Sequence, residues 1–584
     1  MRSFHRRDLF RNTAATALVR AVGADMAPAS PDYGTNRQYG AWRVFRDRRA
    51  LMEYTGHEAG DVVLLSEPGR EGLFRCTPGP SQINRDPLQG IYVSSSKGSV
   101  HYERIWDGIH GEPEWFGAIV DNSAIDNSEA IQACIDLCPI TLLKAAKYYI
   151  GTLGYAAGSY CIKIQIDGRK LVGVSATQRG SISATELVLN SGLATGILVG
   201  FEADPGNPTD DWLMEAHVEN LSIRRNTAAG HSIANPATGM TNAPTGLRMQ
   251  FAIVCKITNV WSLEHSFGFV SYATVACVYN SCRALRYTAG TGRGNDFWAG
   301  YWQDNSAPTP YNSGNASLYY LQCGAFSNAS QANAPMYSYN VGIGTNQGFT
   351  DTYIIGFESS NCAYGIDVKG RSSKALDYHT EDLIITDPVL DGNLRAGIRI
   401  SLAGANTAVQ IKGHYIGCSN ATDPTAKGIL LDNVRGSVTI MGGQTIATVG
   451  NPAAGLYAFQ SSGVTSIGNI YTDIAEPIVL DQVLNFRLQD RINAARVPFT
   501  QAVKISASSR GTIDCDVGCS DPRLTIGKGV NLAGSGNSKI KVECTGIDPA
   551  HMAGGWADKL VHNGKQITSP GAFGSSCLAL GIMD

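Results

Sequence analysis

The sequence predicts an all-β chain: a right-handed parallel β-helix with a short N-terminal capping helix, preceded by a small β-rich module. Three observations predict it. A Gly-Ile/Leu signature recurs at Gly365-Ile-Asp-Val, Gly397-Ile-Arg-Ile, Gly428-Ile-Leu-Leu and Gly455-Leu-Tyr-Ala and closes at Pro477-Ile-Val-Leu, with separations of 32, 31, 27 and 22 residues by subtraction. A second short alternating strand (Leu383-Ile-Ile, Val409-Gln-Ile, Val438-Thr-Ile, Val464-Thr-Ser) marches in step with it. One amphipathic helix pattern, Ser128 to Leu137, precedes both in a chain otherwise poor in helix signals.

A repeat unit two or three strands long, with Asn and Gly at its corners, is the mark of a solenoid, because one turn has too little apolar face to be stable alone and must stack on its neighbours. Upstream, "ENLSIRR", "CKITNVW", "GFVSY" and "VACVYNSC" carry the same short β-rich segments. A β-sandwich array would instead show even spacing of 8–12 residues and two-residue hairpin turns, and such turns are scarce here. The helix is explained by the needs of a solenoid end. The first coil presents an open sheet edge that invites pairing with other chains. Residues 130, 131, 134, 135 and 137 place apolar side chains on one helical face to cover it, and Asp126, Asn127 or Ser128 can cap its start.

The chain has 584 residues, 65 of them Gly, with 17% charged residues and a formal net charge of -3. That balance, with Lys and Arg scattered, shows no basic stripe and excludes nucleic acid as the expected partner. No apolar run approaches the roughly 20 residues that span a bilayer. The 14 Cys include no CxxC pair, so they read as buried small hydrophobes rather than zinc ligands or disulfides. HExxH, GxSxG and phosphate-loop motifs are absent, and His265, His379 and His414 stand isolated, so no metal site is assigned.

The motif Trp115-Phe-Gly-Ala, Asp121, then Asp126-Asn-Ser-Glu-Ala-Ile-Gln-Ala-Cys-Ile resembles the opening motif of the pectate-lyase-superfamily β-helices. That group includes phage tailspikes and capsule depolymerases as well as exported bacterial polysaccharide lyases and hydrolases. Asn122 stands where the family usually has Gly, and Asn127-Ser128 where it has Asp-Thr. "GFESSNCAYGIDV" and "PVLDGNLRAGIRI" also look like tailspike coils. The resemblance implies an extracytoplasmic or virion-tail protein that acts on a bacterial polysaccharide, by lyase or hydrolase chemistry or by binding alone; a tailspike would be a homotrimer, and Ca²⁺ would enter only with a lyase. Residues 1–29 contain Arg6-Arg7-Asp8-Leu9-Phe10-Arg11 before a weakly apolar stretch, which resembles a twin-arginine export signal, although a basic anchoring helix would look similar. The expected organisation is this leader, a β-rich module over 30–111, the β-helix over 112–500, and final coils with a tail over 501–584.

Glycan hydrolysis needs two carboxylates at a fixed separation, and lyase action needs a base plus something to neutralise the uronate. Carboxylates crowd Glu358 to Asp391, with Asp367, Asp377, Glu381, Asp382 and Asp387 between them. Coils lie about 4.8 Å apart, so Glu358 on one coil and Asp387 and Asp391 on the next are the expected catalytic residues. Asp387 aligns with Gly413 and Gly442 of later coils, a charge where a corner glycine is the pattern. "NDFWAGYWQDNSAPTPYNSGNASLYY" concentrates Phe297, Trp298, Tyr301, Trp302, Tyr311, Tyr319 and Tyr320; rings with an apolar face and a polar edge suit sugar stacking, and Trp298, Tyr301, Trp302 and Tyr319 are the expected substrate platform, with about half of these rings exposed by strand alternation.

Overall fold

In the computed structural model the described residues are 37–39, 42–545 less fourteen inter-strand segments (152–158, 178–182, 191–194, 203–211, 227–243, 287–296, 305–314, 328–338, 347–349, 371–380, 419–425, 448–453, 522 and 534–536), and the short strands at 560–562, 565–566 and 578–579. The expected leader at 1–29 lies outside them. Two sheets account for the strands: one of six, between Arg37–Tyr39 and Val100–Arg104, and one of 40 that begins at His110–Gly111. The first is mostly antiparallel and closes over Phe45, Leu65, Phe74, Val93 and Tyr102. The second is a right-handed parallel β-helix, in which every pairing but that of Val561 with Gln566 and His562 with Lys565 is parallel.

Each complete coil passes through three faces, called A, B and C in chain order; in some coils, as at Lys256–Leu263 and Ser462–Thr472, one long strand runs through both B and C. In the coil that starts at Tyr364, the A strand is Tyr364–Lys369, the B strand Glu381–Thr386 and the C strand Val389–Asp391. Inward positions stack in register as aliphatic ladders; on face A, Ile343, Ile366, Ile398, Ile429, Leu456 and Ile478 follow one another coil after coil. All six are fully buried.

The Gly of the recurring signature is explained by a second ladder. Gly196, Gly246, Gly268, Gly300, Gly342, Gly365, Gly397, Gly428 and Gly455 occupy successive coils at the start of face A, and none has left-handed backbone. A Cβ on any of them would come within 3.0 Å of the carbonyl oxygen of the ladder residue in the next coil, Pro477 closing the series. Space, not conformational freedom, selects glycine here. The corner between faces B and C makes the other demand: Gln322, Gly356, Asp387, Gly413, Gly442 and Gly468 all have φ between 45° and 70° there, a region that costs little for Gly and is tolerated by Asp and Asn.

Cysteines also serve corners. Cys277, Cys282 and Cys323 each donate S–H to a carbonyl of the preceding coil at 3.4 Å. Among the described residues the cysteines are free thiols, all buried but Cys519, which agrees with their reading as small buried side chains.

The opening motif closes all three faces at the first coil. On face A, Gln132 of the helix Ser128–Leu137 takes the place of a missing strand: its Oε1 accepts from Lys163 N at 2.8 Å and its Nε2 donates to Lys163 O at 2.9 Å. On face B the strand His110–Gly111 lies over Ile140–Leu142. On face C, Asp121, at φ 57°, donates its N–H to Lys147 O and accepts from Lys147 N, and Asn127 N donates to Tyr149 O. Asn127 precedes the helix without capping it; its buried amide is committed to Ile119 and Tyr149 instead, while Asp126 accepts from Ser128 N. Ile131, Cys134 and Ile135 seal the interior beneath. The N-terminal sheet is joined to this cap through buried Arg104, which donates to the carbonyls of Gly90, Glu71 and Arg70 and lies 4.4 Å from the Trp115 ring.

The two glycine demands make opposite predictions. A Cβ at Gly428 would lie 2.5 Å from Gly455 O and 2.6 Å from a Thr445 methyl, so Gly428→Ala should cost about 1–3 kcal/mol, the usual penalty of overpacking. Gly442, at φ +65° with nothing within 4 Å of the added atom, should accept Asn with a change of about 0.5 kcal/mol, typical of surface sites. Denaturant melts of the two variants check the pair; equal losses would contradict the distinction.

Candidate functional site

The coil geometry distributes the crowded carboxylates over all three faces, because the chain visits each face once per coil. Asp367 lies on the outer side of face A, Asp382 on that of face B, and Glu358 and Asp391 on that of face C, with Asp387 at the B–C corner. Asp377, His379 and the side chain of Glu381 fall outside the described residues.

Glu358, Asp387 and Asp391 come to one exposed edge. Glu358 pairs in register with Val389 of the next coil and Ser360 with Asp391, so Glu358 and Asp391 are diagonal neighbours, about 8 Å apart at Cα given the strand rise and spacing. Asp387 occupies the corner position of Gly356, two residues before Glu358 in the coil above. Both aspartates lean over glycines of the following coil. A Cβ on Gly413 or Gly417 would collide with Oδ1 of Asp387 or Asp391 respectively, so these glycines leave the space the carboxylates occupy.

The expected aromatic platform is corrected. Trp298 and Tyr301 are 1% and 0% exposed, inside the β-helix, where Tyr301 stacks on Phe269 at 4.9 Å. Trp302 points outward from face A yet is 4% exposed, packed against Phe267. Alternation failed as a guide to exposure because both sides of this strand are covered. Tyr320 is likewise buried, and Phe297's side chain and Tyr311 lie outside the described residues. Tyr319 alone of the four expected rings stands half-buried on an outer surface, that of face B. It stacks on Tyr353 of the next coil with centroids 4.6 Å apart and planes 7° apart. Tyr353 was missed by sequence reading; its in-step position one coil after Tyr319 was the signal available. The chain from Tyr353 to Glu358 turns the B–C corner in five residues, so the stacked rings and the carboxylates flank one edge.

A second cluster, also unrecognised in the sequence, lies on face A. Arg399 donates to both oxygens of Asp367 at 2.6 and 2.5 Å and to Tyr364 Oη at 2.9 Å. Burial pushes the Asp367 carboxyl up, and the hydrogen bonds and charge of Arg399 pull it back. Asp367 is 3% exposed and Arg399's side chain 27%. Face A continues past it with Asp432 and with Tyr457, whose ring lies 5.1 Å from Lys427 Nζ.

The isolated histidines are buried. His265 Nδ1 accepts from Arg225 Nε and its Nε2 donates to Ile223 O, and burial lowers His414 to about 4. Among the described residues no group of three His, Cys, Asp or Glu is placed to hold a metal ion, and no helix is long and apolar enough to cross a membrane.

No protein-family profile matches the sequence, and no curated protein matches it. Solved structures do match in fold. A mutant tailspike protein of the Escherichia coli bacteriophage HK620 superposes with a TM-score of 0.53 at 14% identity, over 76% of each chain. A second mutant of that tailspike, in complex with a pentasaccharide, superposes with a TM-score of 0.52 at 13% identity and the same coverage. The likeness establishes the right-handed parallel β-helix and the similarity to tailspikes at the level of fold.

The Asp367–Arg399 pair generates a stability prediction. Removing one partner of a buried ion pair costs about 3–5 kcal/mol, and the partial exposure of Arg399 places Asp367→Leu near the lower end of that range. Adding Arg399→Met to it should restore much of the loss, since the paired charges are then gone together. Thermal melts of both single variants and the double check the cycle; strict additivity would contradict it.

Proposed function

We propose that the protein is an extracellular polysaccharide-cleaving β-helix, with its catalytic carboxylates among Glu358, Asp387 and Asp391 and a sugar-stacking surface at Tyr319 and Tyr353. The observation that carries this reading is the convergence of three exposed carboxylates from adjacent coils on one edge, beside a pair of stacked, near-parallel tyrosine rings. Acid-base cleavage of a glycosidic bond needs two carboxyl groups held at a fixed distance, and strands of a stacked solenoid hold them more rigidly than loops do. The tyrosines offer the apolar faces that sugar rings pack against. No cofactor is required for hydrolysis; Ca²⁺ belongs only to the lyase version of the reading.

A second reading, a phage or prophage tailspike that binds and cleaves a host surface glycan as a homotrimer, draws support from the fold shared with the HK620 tailspike, one of whose structures holds a pentasaccharide. The two readings share substrate class and differ in location, virion tail against secreted enzyme. A third, glycan binding without cleavage, separates from both by activity.

The test is incubation with a panel of acidic and neutral bacterial polysaccharides, following new reducing ends and the ultraviolet absorbance of an unsaturated uronate, which only a lyase makes. Glu358→Gln should lower the cleavage rate by about 10²–10⁴-fold, the contribution of a positioned acid or base, with glycan binding and melting temperature nearly unchanged. Tyr353→Ala should weaken binding instead. Full activity in Glu358→Gln removes the carboxylate assignment, and binding without cleavage by the wild type selects the third reading.

A further inference from the structure

The strand Leu484–Ala494 alternates strictly, and Phe486, Leu488, Asp490, Ile492 and Ala494 point into the β-helix. One of these five is a carboxylic acid. Asp490 is 4% exposed and lies opposite an irregularity in the preceding coil: Gln489 pairs with Ile467 and Arg491 with Ile470, so Gly468 and Asn469 both stand against the single residue Asp490. This β-bulge turns Asn469, itself fully buried, into the core. Its N–H and its Nδ2 both donate to Asp490 Oδ1, at 2.9 and 3.0 Å. The same Nδ2 also reaches Ile440 O and Ser466 Oγ, and Asn469 Oδ1 accepts from Gly443 N. Asp490 Oδ2 is buried without a hydrogen-bond partner.

Among the described residues no buried cation compensates this carboxyl. The buried cationic side chains among the described residues are Arg104, Arg225, Arg248 and Arg286, all far earlier in the chain, while Arg487 and Arg491 of Asp490's own strand point outward. The titratable groups that face it are Tyr471 on the preceding coil and Cys515 on the following one, both fully buried, with burial pushing the Tyr471 phenol well up; His414 lies three coils away along the same corner. A lone carboxylate in such surroundings is far more costly than a carboxylic acid, so the group resolves the conflict by keeping its proton.

We propose that Asp490 is held in the core as a protonated acid and that loss of its proton at rising pH loosens the coils of residues 462–519, a pH-dependent weak point built into the C-terminal half of the β-helix. Burial raises the Asp490 pKa, the neighbouring polar groups of Ser466 and Asn469 opposing it in part. For a carboxyl raised above its unfolded value of about 3.9, the associated stability is fully present below that value and is lost as pH rises through the folded pKa. The bulge supplies the place for local opening, because the register there is already interrupted.

The experiment compares the full chain with Asp490→Asn, which keeps the shape and removes the proton equilibrium. In the wild type the melting temperature should fall between acidic and mildly alkaline pH, and hydrogen exchange of residues 462–519 should accelerate beyond the ordinary base-catalysed rise. In Asp490→Asn both effects should shrink, and the variant should melt above the wild type on the alkaline side. An unchanged pH profile in the variant, or a variant less stable than the wild type at alkaline pH, overturns the proposal. If the variant does not fold, wild-type exchange alone decides: alkaline loss of protection confined to 462–519 supports it, and uniform or absent loss overturns it.

Discussion

Everything downstream of residue 140 depends on how the backbone of the first coil is satisfied. In a parallel stack each strand bonds to the coils on both sides, so the first coil has one side without partners, and an open edge is both a free-energy cost and a template for association. The chain closes its three edges by three different means. A glutamine side chain stands in for a peptide group on face A, a two-residue strand covers face B, and a left-handed aspartate with the residue before the helix covers face C. This accounts for the composition of the opening motif better than helix formation does. The Asn127 side chain is spent on the solenoid rather than on its own helix, and Gln132 bonds to the first coil as well as to Asp136 of the helix, which is held by Ile131 and Ile135 against the interior.

Past the cap, the fold makes two separate demands for glycine, and they divide the coil into a constrained interior and a permissive surface. The ladder from Gly196 to Gly455 is required by the carbonyl of the next coil and tolerates no side chain at all. The B–C corner requires only a left-handed backbone, and there glycine alternates with Gln322 and Asp387. A corner can therefore carry a charge at the cost of slight strain, while the ladder cannot carry even a methyl group. Outward positions on the three faces are freer still, and the stacked tyrosines and the Asp367–Arg399 pair are built from them.

Legibility in the sequence followed this division. The ladder glycines and the inward aliphatics recur at intervals that can be counted along the chain, the single helix shows the 3.6-residue period, and the architecture was readable from them. The corner role of Asp387 was readable for the same reason, since it replaces glycine in a periodic position. What could not be read was exposure and proximity. Trp298, Tyr301 and Trp302 are amphipathic rings in an aromatic-rich strand, and nothing in their order tells that both sides of that strand are buried. Asp367 and Arg399 meet across 32 residues, one coil exactly in register, yet in sequence Asp367 seemed to belong with Asp387 and Glu358, which face other directions. Proximity along the chain measures position around the coil; proximity in space is set by the coil count.

That lattice also limits what chemistry a pair of carboxylates can perform on it. In-register neighbours on adjacent coils are about 4.8 Å apart at Cα, and diagonal neighbours about 8 Å. Retaining glycosidases place their two carboxyl groups about 5–5.5 Å apart and inverting ones about 6.5–9.5 Å, the wider gap admitting a water. Glu358 has Val389, not an acid, at the in-register position, and its acidic neighbour Asp391 is diagonal. A backbone this rigid cannot close the gap by bending, so only side-chain torsions adjust it. For a glycosidase of the proposed kind, the spacing of the two carboxyl groups is then set by how the Glu358 and Asp391 side chains extend from a fixed diagonal.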